Sequence, residues 1–157
     1  MLRRRSLRYV VLAIAVAAAA AGVVHAQGRP SKGEQTLKYR KAIYQTMVWN
    51  FGTLSAMAQD KIPYEAAEFQ KRAERVAFLT PMLSETYTPD TRSVEGSKLK
   101  PEMWDNRADF DQKLKDLVDR SATLAQVSKD GDAARSKAAF FDTANACKAC
   151  HDKYRAD

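Results

Sequence analysis

Near the C-terminus two thiols stand three positions apart and an imidazole follows at once, in the run Cys147-Lys148-Ala149-Cys150-His151. On a helix, that spacing lets each sulfur add to a vinyl group of one haem while the next side chain turns under the iron. C-x-x-C-H is the pattern of a c-type haem attachment site, with His151 as the expected proximal iron ligand. A structural zinc site asks for four Cys or His ligands, and the chain has only Cys147, Cys150, His25 and His151. A redox C-x-x-C asks for a preceding strand and a helix N-terminus that lowers a thiol pKa, whereas these cysteines close a helical stretch. The expected cofactor is therefore one haem c, covalently joined through Cys147 and Cys150.

The other end of the chain bears on where that chemistry takes place. Residues 1–26 combine Arg3, Arg4, Arg5 and Arg8 with an apolar run from Tyr9 to Val24, the pattern of a secretory signal peptide cleaved after Ala26. An uncleaved membrane anchor is the competing reading, since a run of this length is borderline for spanning a bilayer. Cleavage leaves residues 27–157 as one domain with one core, and no segment directed at a membrane. It also removes four arginines, which lowers the formal charge from +7 to +3. The remaining charge is spread along the chain without blocks, as on a solvated surface, and does not point to nucleic acid. Covalent haem is attached on the outer side of a bacterial inner membrane, so a periplasmic location is expected. Both cysteines belong to the haem motif, which leaves helix packing and the apolar haem itself to hold the fold.

The elements that position the motif follow from apolar spacing. Tyr44, Met47, Phe51, Leu54 and Ala58 recur at steps of three and four and predict a first helix over 35–60. Pro63 opens a second helix over 63–80, with Ala66, Phe69, Ala73, Val76 and Thr80 on one face and Pro81 ending or kinking it. A long connection to residue 100, with Pro89 and Gly96, suggests a crossover along a bundle or over a ligand. A third helix over 101–129 buries Phe110, Leu114, Leu117 and Leu124. Gly131 suits its C-terminus and Asp132 the N-cap of a fourth helix, which carries Phe140, Ala144, Cys147 and His151 to Tyr154. Four helices without an alternating strand pattern predict an all-α fold, an antiparallel four-helix bundle with covalently bound haem.

A C-terminal Cys147-Lys148-Ala149-Cys150-His151-Asp152-Lys153-Tyr154-Arg155 on the last helix of an exported bundle resembles the class II cytochromes c, in particular cytochrome c′. Leu37-Lys38-Tyr39-Arg40-Lys41-Ala42, Lys100-Pro101-Glu102-Met103-Trp104 and Ala108-Asp109-Phe110 are similar to further elements of that family, so the resemblance spans the chain after its leader. It implies that Arg40 contacts a haem propionate and that Arg155 is the basic residue beside the axial histidine. An arginine can pair with a carboxylate through two hydrogen bonds, although both residues also read as ordinary solvated helix charges. The resemblance further implies an antiparallel homodimer through the first two helices.

It also bears on the other face of the haem. Without the leader His151 is the only histidine, which leaves Met47, Met57, Met82 and Met103 as candidates for a second axial ligand. In relatives similar to cytochrome c-556 a ligating methionine stands five residues after the tyrosine of the Tyr-Arg pair. Here that position is Tyr44, which resembles the subset of cytochromes c′ with a tyrosine lid. The expectation is five-coordinate iron in a crowded apolar pocket that binds NO, and CO when reduced, with a role in NO sequestration or detoxification and in electron transfer to a periplasmic redox partner. The alternative is a low-spin carrier closed by Met47, a residue that at helical spacing also serves as core filler. Apart from the haem, no nucleophile–base pair, clustered carboxylates or phosphate-cradling loop suggests an enzyme.

Overall fold

The computed structural model of the protein describes residues 29–156, so the leader read at 1–26 lies outside the described residues. The elements are α1 (Lys32–Ala58), α2 (Ala66–Leu79), two 3-10 turns (Thr80–Thr86 and Pro89–Thr91), α3 (Glu102–Asp105), α4 (Arg107–Ser128) and α5 (Ala133–Tyr154). Helices α1, α2, α4 and α5 form the predicted bundle, in which α2 packs on α1 and α4, α5 packs on α4, and α1 meets α5 less closely.

Each helix buries the stripe its spacing dictates. On α1 this is Leu37, Arg40, Ile43, Met47, Asn50, Leu54 and Met57, with Tyr44 and Phe51 half-buried beside it. On α2 it is Phe69, Ala73 and Val76, and on α4 Phe110, Leu114, Leu117 and Leu124. Asp132 caps α5 by accepting the Arg135 N–H at 3.0 Å, and Gly131 before it takes φ +72°, a left-handed value that glycine adopts without Cβ strain. Gly33 is needed for another reason: a Cβ there would lie 2.1 Å from the Asp90 carbonyl oxygen, so the crossover can lie against α1 only where no side chain intervenes.

Three boundaries differ from the spacing. Helix α2 starts at Ala66 rather than Pro63, because Tyr64 instead packs on Phe69 with ring centroids 5.2 Å apart, a hydrophobic staple that sets the entry angle. Beyond Leu79 the chain tightens into a 3-10 turn through Pro81, so the crossover is more ordered than its composition suggests. The helix predicted over 101–129 is two. At Asn106, with φ −117° and ψ 39°, the side-chain amide donates to the Glu102 carbonyl at 2.9 Å and competes with the regular ladder.

The core has two parts. One joins Leu54, Met57, Phe69, Ala73, Val76, Leu124 and Phe140; the other joins Ile43, Met47, Leu83, Tyr87, Met103, Phe110, Leu114, Leu117 and Tyr154, with both cysteines at its margin. Phe69 is completely buried in the first. Phe69→Ala is expected to lower the unfolding free energy by about 3–5 kcal/mol through lost transfer energy and a residual cavity, read from urea denaturation.

Candidate functional site

Beside the second core cluster, where α1 and α5 meet less closely, lies a cavity of about 350 Å³, within the rough 300–1,000 Å³ range of small-molecule sites. Its wall brings together residues distant in sequence: Arg40, Tyr44 and Val48 from α1, Tyr87 from the crossover, and Cys150 and His151 from α5. Leu99 and its neighbours form a further side, held by an antiparallel bridge to Arg155 just beyond α5. In that bridge the Lys100 N–H donates to the Tyr154 carbonyl and the Ala156 N–H to the Lys98 carbonyl, both at 2.8 Å. The end of α5 that carries the motif is thereby pinned to the crossover.

Five of the six residues singled out in the sequence line this cavity: Arg40, Tyr44, Cys150, His151 and Arg155. Cys147 stands one turn back on α5, half-buried against the second core cluster, and neither cysteine is in a disulfide. Burial pushes the Cys147 thiol up to about 11 and also raises Cys150. Burial, helped by the neighbouring Arg155 charge, lowers the His151 pKa, which favours the neutral imidazole that a metal needs.

Arg40 is 4% exposed. Its Nε donates to Thr86 Oγ1 at 3.2 Å, and its Nη2 donates to Thr91 Oγ1 at 2.8 Å and to the Thr86 carbonyl. Its guanidinium carbon lies 4.1 Å from the centre of the Tyr87 ring. The solvated-charge reading of Arg40 is thus replaced by a buried, bonded cation. Arg155 is exposed, and its N–H closes the last turn on the His151 carbonyl at 3.0 Å.

The pocket is less apolar than expected. The Tyr44 and Tyr87 hydroxyls are 2.7 Å apart and hydrogen-bonded to each other. Tyr87 escaped the sequence reading because it lies in the crossover, outside any periodic stretch; its only signal was an aromatic residue between polar Thr86 and Thr88. Met47 does not line the cavity but is buried in the second core cluster, and the cavity wall holds one histidine and no methionine.

Charge completes the picture. Arg40, Lys41, Lys98 and Arg155 line the cavity and no carboxylate does. Two thiols beside an apolar and aromatic wall, an imidazole held neutral and a cationic rim suit a flat apolar ring with two anionic edge groups, so the residues present fit a haem.

The family described as cytochrome C′ matches residues 35–155. A cytochrome c′ from Alcaligenes xylosoxydans xylosoxydans is 33% identical over 125 residues, covering 80% of this chain and 96% of the relative. Among solved structures, a nitric oxide complex of a mutant cytochrome c prime from Alcaligenes xylosoxidans superposes with a TM-score of 0.73 at 32% identity, covering 82% of this chain and 100% of the other. A cytochrome c′ described for ligand-controlled dimer dissociation superposes with a TM-score of 0.75 at 32% identity, with coverage of 82% and 100%.

Burial raises the pKa of both Tyr44 and Tyr87 above the ordinary 10.0. Both are neutral in the folded and unfolded chain below pH 10; above it only the unfolded chain ionises readily, so folded stability falls as pH rises. Melting temperature is expected to drop steeply above about pH 10, and less steeply in Tyr87→Phe, as followed by circular dichroism.

Proposed function

The chain belongs to the cytochrome c′ family, and on that premise we propose that it is a periplasmic haem c protein whose iron, held by His151, stays open to nitric oxide and, when reduced, to carbon monoxide. The observation that carries this reading is the composition of the cavity wall, with one histidine, no methionine and Met47 turned into the core. The family binds haem c, and in this chain Cys147 and Cys150 are the residues to hold it. A haem bound there supplies an iron that coordinates diatomic gases and passes single electrons.

The residues around it do the rest. Cys147 and Cys150 anchor the group covalently to α5, and neutral His151 offers a ring nitrogen to the metal. Arg40 and Arg155, with Lys41 and Lys98, line the cavity with positive charge that would suit the propionate carboxylates. Leu37, Leu99 and Phe110 give the cavity apolar lining. Sequestration or detoxification of NO is the role this arrangement serves best, with electron exchange with a periplasmic redox partner as a second use of the same haem. Location rests on the leader pattern at residues 1–26; among the described residues no helix is long and apolar enough to cross a membrane.

A homodimer through α1 and α2 belongs to the same reading. Val48 and Trp49 on α1 and Phe78 on α2 are 69%, 75% and 71% exposed, and an exposed apolar face of this kind suits a second copy. Val48 also lines the cavity, which brings this face next to the gas site. A buried Trp contributes about 150–250 Å² to an interface, so Trp49→Glu is expected to shift the protein to monomer in sedimentation velocity while leaving its haem spectrum unchanged.

Optical and EPR spectra of the purified holoprotein test the iron environment. High-spin ferric features and ready CO binding after reduction are the expected outcome. A low-spin spectrum that resists CO overturns the open-iron reading. Replacing both cysteines by alanine is expected to make the haem extractable with acidified acetone.

A further inference from the structure

The Tyr44–Tyr87 contact is a chain of three groups rather than a pair. Tyr87 is 5% exposed and held on every side: the Arg40 guanidinium stacks 4.1 Å above its ring, the Phe110 ring meets it edge-on at 4.6 Å, and Arg107 Nη1 donates to its carbonyl at 2.8 Å. Its hydroxyl lies 2.7 Å from that of Tyr44, and the distance alone allows either to donate. The cation decides between them. A guanidinium over a phenol ring draws electron density from it, which makes the Tyr87 O–H the better donor and its oxygen the poorer acceptor.

If Tyr87 donates, Tyr44 accepts and keeps its own O–H for another partner. Accepting one hydrogen bond polarises a hydroxyl toward giving a stronger one, more so where water is excluded. Tyr44 lines the cavity that His151 and Cys150 also line. We propose that the Arg40 cation, stacked on the Tyr87 ring, polarises the Tyr87–Tyr44 hydrogen bond so that it presents the Tyr44 hydroxyl proton to a small ligand with an acceptor atom, with Tyr87 as the positioning residue that sets specificity. This rests on the gas-binding reading of the site. It gives the pocket a directed donor for polar diatomic ligands, in place of a purely steric lid.

The test uses the reduced, CO-bound holoprotein, with the infrared C–O stretch and the CO dissociation rate measured in the native chain, Tyr44→Phe, Tyr87→Phe and the double variant. Each substitution removes one hydroxyl and keeps the ring. Tyr44→Phe is expected to raise the stretching frequency and speed dissociation roughly three- to tenfold, the equivalent of one hydrogen bond. Tyr87→Phe should move both in the same direction by less, and should add nothing once Tyr44 is Phe. An effect of Tyr87→Phe that persists in the Tyr44→Phe background overturns the chain, as does a stretch that Tyr44→Phe leaves unmoved. A second readout needs no gas: the tyrosine ring doublet in the Raman spectrum, isolated for Tyr44 by difference against Tyr44→Phe, reports whether that hydroxyl donates or accepts. It should change when Tyr87 becomes Phe, and an unchanged doublet overturns the proposal. If the protein binds no CO at all, the open-iron reading fails and the Raman doublet still decides the chain.

Discussion

An arginine that is 4% exposed has to replace the water its guanidinium has lost, and much of the cavity's construction follows from how Arg40 does so. Its acceptors are Thr86 and Thr91, both in the crossover, so satisfying the charge ties that segment to α1. The Tyr87 ring follows Thr86 and comes to lie under the guanidinium, and its hydroxyl thereby meets Tyr44. One buried cation thus orders the crossover, furnishes part of the cavity wall and biases the polarity of the hydroxyl pair.

The bundle as a whole separates stability from function. The Phe69 cluster is closed by tight apolar contacts, whereas the second cluster is margined by Cys147 and Cys150 and opens into the cavity. Helices α1 and α5 meet less closely than α4 and α5 do, and the gap is where a flat apolar group can serve as core. An exposed C-terminal helix end would fray, but the bridge between Leu99 and Arg155 holds it. Cys147, Cys150 and His151 therefore sit on a helix fixed at both ends, by the Asp132 cap and by this bridge.

The cavity's charge is as selective as its shape. Arg40, Lys41, Lys98 and Arg155 put four cationic side chains and no carboxylate on the cavity lining, a pattern that suits a group bearing negative charge of its own. Carboxylates near the motif are paired locally, as in Lys148 with Asp152 and Lys153 with Asp109, and Asp109 also accepts the hydroxyl of Tyr154 from the cavity lining.

The sequence by itself determined the attachment chemistry, the helical class and most of the buried stripes, because each depends on residues within one or two turns of each other. Cys147, Cys150 and His151 share a face through helical spacing alone, and Asp132 and Gly131 act through local backbone geometry. Periodicity could not reach what depends on contacts across the bundle. The break at Asn106 turns on one side-chain amide, the exclusion of Met47 from the cavity on which side of α1 meets Met103 and Phe110, and the Tyr44–Tyr87 bond on a crossover that joins residues 43 apart. Only the tertiary structure decided those, because a crossover without repeating apolar spacing carries no signal of where a buried cation will hold it.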